Sequence, residues 1–402
     1  MTIRIPLAKP EITDADRESV MDVLRTPYLS TGPKVEEFER AMCDYTGSEH
    51  AVAVNSGTSG LQIAIRALGI ESGAEVILPS FTFSAVLNVI LLEGLRPKFV
   101  DIDPRTRNCT AAAMLAAISP ETRLILAVHT FGVPVDVGTI VEAVRARSGG
   151  SPVHVIEDAC EALGADVHGR KAGTLADAGL FAFYPNKQIT SGEGGMLVTS
   201  DENIARKAAR LRNQGRDPAL GWNSHAEIGF SYRISDINCA LGISQLARIE
   251  TVITRRQQLA EMYDRELARI QGVVRPSLAS DVGRISWFVY PVQLAQEFTA
   301  GDRDRICEAM LGNGIATGRY FAPLHRQPVL RKSKALTTED TELHRGKYTE
   351  ENGNDNEASL TNTEIVADRV IALPFFNELT HAEIQEVSGA LAESIHEARR
   401  KT

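Results

Sequence analysis

The sequence predicts an α/β protein with a large domain on a mostly parallel β-sheet and a smaller α+β domain at the C-terminal end. Three features point there. Short apolar runs alternate with helical patterns between about residues 50 and 200, which implies crossover connections and a sheet covered on both faces. Beyond about Thr199 the helical pattern dominates, until 287–294 reads as a strand opening a second unit. The length of 402 residues accommodates one large and one small domain, and the expected division is 1–255, including an N-terminal helical segment, and 256–402.

Taken in order, Thr13 or Asp14 caps a first helix running to about Leu24, with Val20, Val23 and Leu24 on one face. A Pro-, Ser- and Gly-rich loop over 27–33 leads to a second helix, where Phe38, Met42 and Tyr45 recur as core and Gly47 ends it. A strand over 51–54 precedes Asn55-Ser56-Gly57-Thr58-Ser59-Gly60 and a helix through Leu68. A strand over 76–78 precedes Pro79-Ser80-Phe81-Thr82-Phe83 and a helix over 85–93. Further strands are expected at 98–102, 123–128 and 153–156, with helical patterns such as 111–118 between them. A short aromatic strand then leads into Lys187, a glycine run and a strand over 196–199. Helical patterns follow at 203–212 and 237–267, and a last helix at 382–398 closes the chain. The tract 331–362 is rich in Thr, Glu, Asn and Lys without apolar periodicity. A mobile surface loop is the plainer reading of it and a substrate-covering lid the sharper one.

Hydrophobic content of 43% and charged content of 24% are those of a globular protein able to bury a core. A net charge of −9, with Lys and Arg dispersed, argues against a nucleic-acid partner, which requires a basic stripe. Cys43, Cys109, Cys160, Cys239 and Cys307 are odd in number and lack Cys-x-x-Cys spacing, so neither a disulfide framework nor a metal site is expected. Free thiols fit a reducing compartment. The N-terminal stretch has no signal-like apolar core, and the apolar run 85–92, interrupted by Asn88, is too short for a bilayer. The expectation is a cytoplasmic protein without membrane or nucleic-acid partners.

Four spots carry chemistry. Ser56-Gly57-Thr58-Ser59-Gly60 joins a strand to a helix, where close backbone approach and free N–H groups favour an anion. It is neither Gly-x-Gly-x-x-Gly nor a Walker loop, so Gly57, Thr58 and Ser59 suit a phosphate monoester; an ordinary glycine turn is the bland alternative. Phe83, at another strand end, could stack on a flat ring or belong to the core. Asp158 ends an apolar strand, where a carboxylate can keep a pyridine nitrogen protonated or simply cap the next turn. Lys187 could attack an aldehyde to form a Schiff base if buried, or be a solvated loop lysine. His129 reads as a satisfied loop histidine rather than a catalyst. Taken together, cradle, ring stacker, pyridine partner and lysine specify pyridoxal 5'-phosphate.

With those residues in view, the chain resembles the DegT/DnrJ-type sugar aminotransferases, a branch of the fold-type-I pyridoxal phosphate enzymes. The resemblance spans 6–328 and 367–379. It is carried by Ser30-Thr31-Gly32-Pro33, Ser56-Gly57-Thr58, Pro79-Ser80-Phe81-Thr82-Phe83, Glu157-Asp158-Ala159-Cys160-Glu161-Ala162, Tyr184-Pro185-Asn186-Lys187 and Gly192-Glu193-Gly194-Gly195. It implies an aspartate-aminotransferase-like large domain. Lys187 would be both tether and proton shuttle, Gly57–Ser59 would hold the phosphate, Phe83 would cover the ring and Asp158 would pair with its nitrogen. Glu161 takes a place near the ring hydroxyl that usually holds Gln, which resembles the GDP-perosamine synthase-like subgroup.

The resemblance also implies a homodimer with shared active sites, 222–233 being the partner-supplied segment. Ser231 stands where many members carry an Asn that reaches the neighbour's phosphate, and Ala182 where many carry Ser. Both departures predict a looser hold on the cofactor.

The expected reaction is transamination. An amino acid, L-glutamate, would leave its amine as pyridoxamine phosphate, and a nucleotide-linked 4-keto-6-deoxyhexose would receive it. The alternatives are a cyclitol or other antibiotic-pathway ketone as acceptor, or a non-catalytic regulator on the same scaffold. Arg233 would bind the donor carboxylate or a substrate phosphate, unless it serves a structural salt bridge; His325 is a further substrate candidate. Relatives that dehydrate sugars with pyridoxamine phosphate replace the lysine by His, and Lys187 counts against that.

Overall fold

Local signals set the first elements. In the computed structural model, which describes residues 2–147, 150–217, 220–221, 224–330 and 359–400, Thr13 and Asp16 form a capping box that starts α1 (Asp14–Leu24). α2 (Pro33–Thr46) stops at Gly47, whose φ of 79° suits a residue without Cβ. Strands and helices then alternate: β1 (His50–Val54), α3 (Gly57–Ala67), β2 (Glu75–Pro79), α4 (Ala85–Leu92), β3 (Arg96–Val100), α5 (Ala111–Ala116), β4 (Thr122–Val128), α6 (Val137–Arg145) and β5 (His154–Asp158). A hairpin of β6 (Asp166–Val167) and β7 (Arg170–Lys171) precedes β8 (Ala178–Ala182) and β9 (Gly195–Thr199).

The large sheet has seven strands in the order β1-β9-β8-β5-β4-β2-β3. β9 is antiparallel to β1 and β8, and the remaining neighbours pair in parallel. β8 and β9 are joined by the short Lys187 loop rather than by a crossover helix, and so direct a connection allows only antiparallel pairing. Alternate strand residues go to opposite faces. Ile77, Ile125, Val155, Phe181 and Met196 enter one core cluster; Val76, Leu124, Ile156, Leu180 and Leu197 enter another. Both faces are therefore buried, as expected of such a sheet.

α7 (Glu202–Arg212) follows, capped by Asp201. The single helical stretch expected over 237–267 is two helices, α8 (Asp236–Leu246) and α9 (Ile249–Leu267). The break falls at Arg248, whose guanidinium meets the Glu11 and Asp16 carboxylates.

The C-terminal part adds an antiparallel sheet, β10-β11-β12, from β10 (Val273–Val274), β11 (Tyr290–Leu294) and β12 (Val370–Leu373). α10 (Ala300–Gly312) and the helices Thr361–Arg369 and His381–Arg400 accompany it. Tyr263, Trp287, Tyr290 and Phe375 lie in its core. β11 begins at Tyr290 rather than at the expected residue 287, because the Trp287 and Phe288 carbonyls turn to the Arg256 guanidinium at 3.2 Å. α9 runs unbroken through residues 255 and 256. Except for 359–362, the polar tract 331–362 lies outside the described residues, as do Trp222 and Asn223. All five cysteines are free thiols. Among the described residues no helix is long and apolar enough to cross a membrane.

Candidate active site

The C-terminal ends of β1, β2, β4, β5 and β8 share one edge of the sheet, where ligands bind in folds of this kind. At the end of β1, the Ser56 Oγ accepts the Ser59 N–H at 3.1 Å and starts α3. A Cβ on Gly57 would stand 2.9 Å from Cys160 Sγ and 3.0 Å from Ala182 Cβ. One on Gly195 would stand 2.5 Å from the Ser56 carbonyl oxygen. Gly57 thus lets the start of α3 press against the β5 and β8 ends, and Gly195 lets the start of β9 press against the start of α3. Thr58 is exposed on the first turn of α3, whose leading N–H groups have no partner within the helix.

Lys187 sits in a tightly bonded loop. Its N–H donates to the Tyr184 carbonyl at 2.9 Å, and the Ser191 N–H donates to the Phe183 carbonyl at 3.0 Å. The Gln188 amide donates to the carbonyls of Glu161 at 2.6 Å and Ser286 at 2.9 Å. The Lys187 side chain is only 14% exposed; Nζ lies 3.6 Å from Glu161 Oε1 and 4.2 Å from the centre of the Phe288 ring. It is not a solvated loop lysine. Glu161 Oε2 accepts the Phe131 N–H at 2.8 Å. Burial pushes the Glu161 carboxyl up, and the Lys187 ammonium pulls it part of the way back. Asp158 Oδ1 accepts the Cys160 N–H at 3.0 Å, fixing the carboxylate at the end of β5.

His129 is fully buried and has both ring nitrogens engaged, as a satisfied loop histidine should. The Val135 N–H donates to Nδ1 at 3.0 Å, so Nε2 carries the hydrogen toward Glu157 Oε2 at 3.1 Å. Glu157 also accepts backbone N–H groups of Gly173, Leu175 and Ala176 at 2.7, 2.5 and 3.0 Å.

A buried lysine over an aromatic face, a carboxylate at the end of β5 and an open helix start form a set that fits pyridoxal phosphate. The sequence profile of the DegT/DnrJ/EryC1/StrS aminotransferase family matches residues 10–342. The chain belongs to that family. It is a pyridoxal-phosphate-dependent sugar aminotransferase. It is 36% identical to the GDP-perosamine synthase of Caulobacter vibrioides over 370 residues, 92% of this chain and 97% of that one. Its fold is similar to that of the aminotransferase TlmJ from Streptoalloteichus hindustanus, with a TM-score of 0.85 and 28% identity over 98% of this chain and all of that one. It is also similar to PseC of Helicobacter pylori, an aminotransferase involved in the biosynthesis of pseudoaminic acid (TM-score 0.86, 25% identity, 98% and 99% coverage).

In this aminotransferase Phe83 is 59% exposed, too open for a core residue, and its ring meets Phe321 edge-on at 6.4 Å. Phe321 stacks on Phe131 at 5.5 Å and on Tyr320 at 5.2 Å, and Tyr320 on Phe288 at 6.2 Å. Burial and the nearby Glu161 push the Tyr320 phenol up. A continuous aromatic wall therefore links Phe83 to the ring under Lys187. Ser231 is exposed and pairs with Asn213; the Arg233 guanidinium donates to the Asn213 side chain at 3.1 Å. Among the described residues Arg233 makes no ion pair, so a structural salt bridge does not occupy it. The segment runs beside the end of β1, because the Asn55 N–H donates to the Tyr232 carbonyl at 3.0 Å. His325 is tied elsewhere, with Nδ1 2.6 Å from Ser80 Oγ and Nε2 3.3 Å from Glu364 Oε1, which locks the end of β2 to the helix Thr361–Arg369.

Phe131, Phe288, Tyr320, Phe321 and Arg256 were not singled out in the sequence. No pattern marks the four aromatic residues. Arg256 carried a usable signal, since it interrupts the buried stripe of α9 formed by Val252, Ile253, Leu259, Ala260 and Tyr263.

Proposed function

We propose that Lys187 Nζ tethers the cofactor and moves the proton in transamination from L-glutamate to a nucleotide-linked 4-keto-6-deoxyhexose. The observation that carries this reading is the position of Nζ, buried 3.6 Å from Glu161 and over the Phe288 ring at the ligand-binding edge of the sheet. The Caulobacter relative, named for an amino-sugar nucleotide and matched over nearly its whole length, supports the acceptor class.

Pyridoxal phosphate, when bound, supplies the electron sink that lets an amine be exchanged for a carbonyl oxygen. The chain does the rest. Lys187 takes a proton from the substrate carbon and returns it, general acid–base work commonly worth about a hundred- to ten-thousand-fold in rate. Asp158 holds the pyridine nitrogen in its protonated form, and Glu161, beside Lys187 Nζ, faces the ring hydroxyl. Gly57 and Thr58 present N–H donors to the phosphate and Thr58 and Ser59 their hydroxyls, the Ser59 N–H being held by Ser56, and Ala182 adds no donor beside them. Phe83 covers the ring. Arg233, with Asn213 as its only hydrogen-bond partner among the described residues, is free to take a carboxylate or phosphate in two-pronged fashion. Ser231 approaches the phosphate of a second copy in a homodimer, whereas His325, with both ring nitrogens held by Ser80 and Glu364, takes no substrate role. The larger unit 1–255 carries the cofactor and 256–402 is the smaller one, in the cytoplasm.

The test is the visible spectrum of wild type and Lys187→Ala, before and after L-glutamate, followed by keto-sugar screening for release of the keto acid. The wild type alone should show a lysine-bound cofactor band that glutamate discharges. No band after soaking wild type in pyridoxal phosphate would sink the reading.

A further inference from the structure

A small, partly open cavity is lined by residues of the Lys187 loop, with about 10 Å³ of room for the centre of a water molecule. Room for a water's centre is what a buried water needs, together with polar partners. Arg248, Arg256 and Asn377 line it, and each has a buried polar atom without a hydrogen-bond partner among the described residues: Arg248 Nε, Arg256 Nε and Asn377 Oδ1. Cavity and orphaned atoms are independent observations, and they coincide.

The remaining atoms of these groups are engaged. Arg248 reaches the Glu11 carboxylate at 2.9 Å and Asp16 at 3.2 Å. The Arg256 terminal nitrogens donate to the carbonyls of Trp287 and Phe288 at 3.2 Å and of Lys187 at 3.4 Å. The Asn377 Nδ2 donates to Glu11 Oε2 at 3.1 Å, which leaves its oxygen buried and without a partner. Two donors and one acceptor therefore remain.

Charge narrows the occupant. Four cations line it: Lys9 pairs with Glu378, Lys187 with Glu161, and Arg248 with both Glu11 and Asp16, so the second of those carboxylates offsets Arg256 and no net charge is left for an ion. A halide would accept both N–H groups but repel the Asn377 oxygen. An ammonium ion would donate to that oxygen but meet two cations. Water alone serves all three, and three hydrogen bonds are usual for a buried water. An open cleft of about 630 Å³ shares Glu11, Arg248, Val252 and Asn377 with the cavity and gives an approach from solvent.

We infer that the cavity holds one water, accepting from Arg248 and Arg256 and donating to Asn377, and that through Arg256 it sets the position of the Lys187 peptide. The positioning half rests on the reading of Lys187 as the reactive amine; the water itself does not. Arg256 is then a positioning residue, fastening the carbonyls of both Lys187 and its ring neighbour Phe288.

The test is a crystal structure of the holoenzyme grown in sodium bromide, with Asn377→Leu alongside. Leu is close to Asn in size and spares the buried scaffold that Arg256→Met would remove. A peak within hydrogen-bond reach of all three atoms, without anomalous bromide signal and lost in Asn377→Leu, is expected. In the same variant the pH midpoint of the lysine-bound visible band should shift by about half a unit or more. A bromide signal would make this an anion site and overturn the assignment, as would an empty cavity. A water present with an unmoved midpoint would overturn the positioning role. Failure of the Lys187 reading is distinguishable, since it leaves wild type without the band while the water peak remains.

Discussion

Glu157 and Glu161 stand four positions apart at the end of β5, both buried, in opposite circumstances. Glu157 accepts three backbone N–H groups and the His129 ring, so its capacity is filled by fixed donors. Glu161 accepts one backbone N–H, from Phe131, and otherwise faces the Lys187 ammonium. Burial alone therefore does not mark a functional carboxylate. A saturated one is framework that pins the turn before β8, whereas one with spare lone pairs beside a movable cation can hold or release a proton.

Removing the cation that Glu161 faces should show this most sharply. Lys187→Ala should lower turnover by about a hundred- to ten-thousand-fold while leaving thermal unfolding nearly unchanged, read by steady-state kinetics and calorimetry on one preparation. A large loss of stability would make the pair framework after all. Glu157→Gln should do the reverse. Its new NH₂ group must face an N–H donor, so stability should fall by about 2–4 kcal/mol in urea unfolding, with activity per folded molecule retained.

Glu161→Gln is the finer probe. Burial raises the Glu161 carboxyl, so the folded protein retains a proton that the unfolded chain releases. That contribution is complete below the ordinary carboxylate value, about 4.3, and is lost as pH rises through the raised one. Urea unfolding across this window should show a stability decline in wild type that Gln abolishes. Turnover should fall about tenfold, or ~1.4 kcal/mol, with the corresponding limb of the pH profile gone. An unchanged profile would place Glu161 with Glu157.

The smallest effect belongs to Glu250, a half-exposed carboxylate that Arg284, Tyr45 and Lys171 surround. The Arg284 hydrogen bond pulls it down to about 2. Its contribution is present above the ordinary carboxylate range and is lost as pH falls through that value. Solvent screening should keep the cost of Glu250→Gln under about 1 kcal/mol, measured by acid unfolding.

Much of this was legible because short-range chemistry is written locally. Thr13, Gly47 and Ser56 act at the helix ends where their types suggest, and alternating apolar runs mark the buried strands. Gly57, Asp158, Glu161 and Lys187 converge because strand ends of one sheet must share an edge. What escaped depends on distant partners. The helix break at Arg248 answers Glu11 and Asp16, and the late start of β11 answers Arg256. The wall of Phe131, Phe288, Tyr320 and Phe321 is assembled from three separate loops, and no spacing within any one of them announces it.

The antiparallel seam between β1 and β9 has a consequence for the life of the chain. Val52 pairs with Leu197, so the strand that leads into Ser56–Ser59 finds its neighbour only once the lysine loop has been made. A nascent chain stopped before β9 would possess β1 and β5, yet lack the strand that joins β1 to the rest of the sheet. Such distant pairings close late. A ligand that recognises only the closed sheet stabilises the finished fold by mass action. Vitamin supply during synthesis should then govern how much of this polypeptide survives quality control.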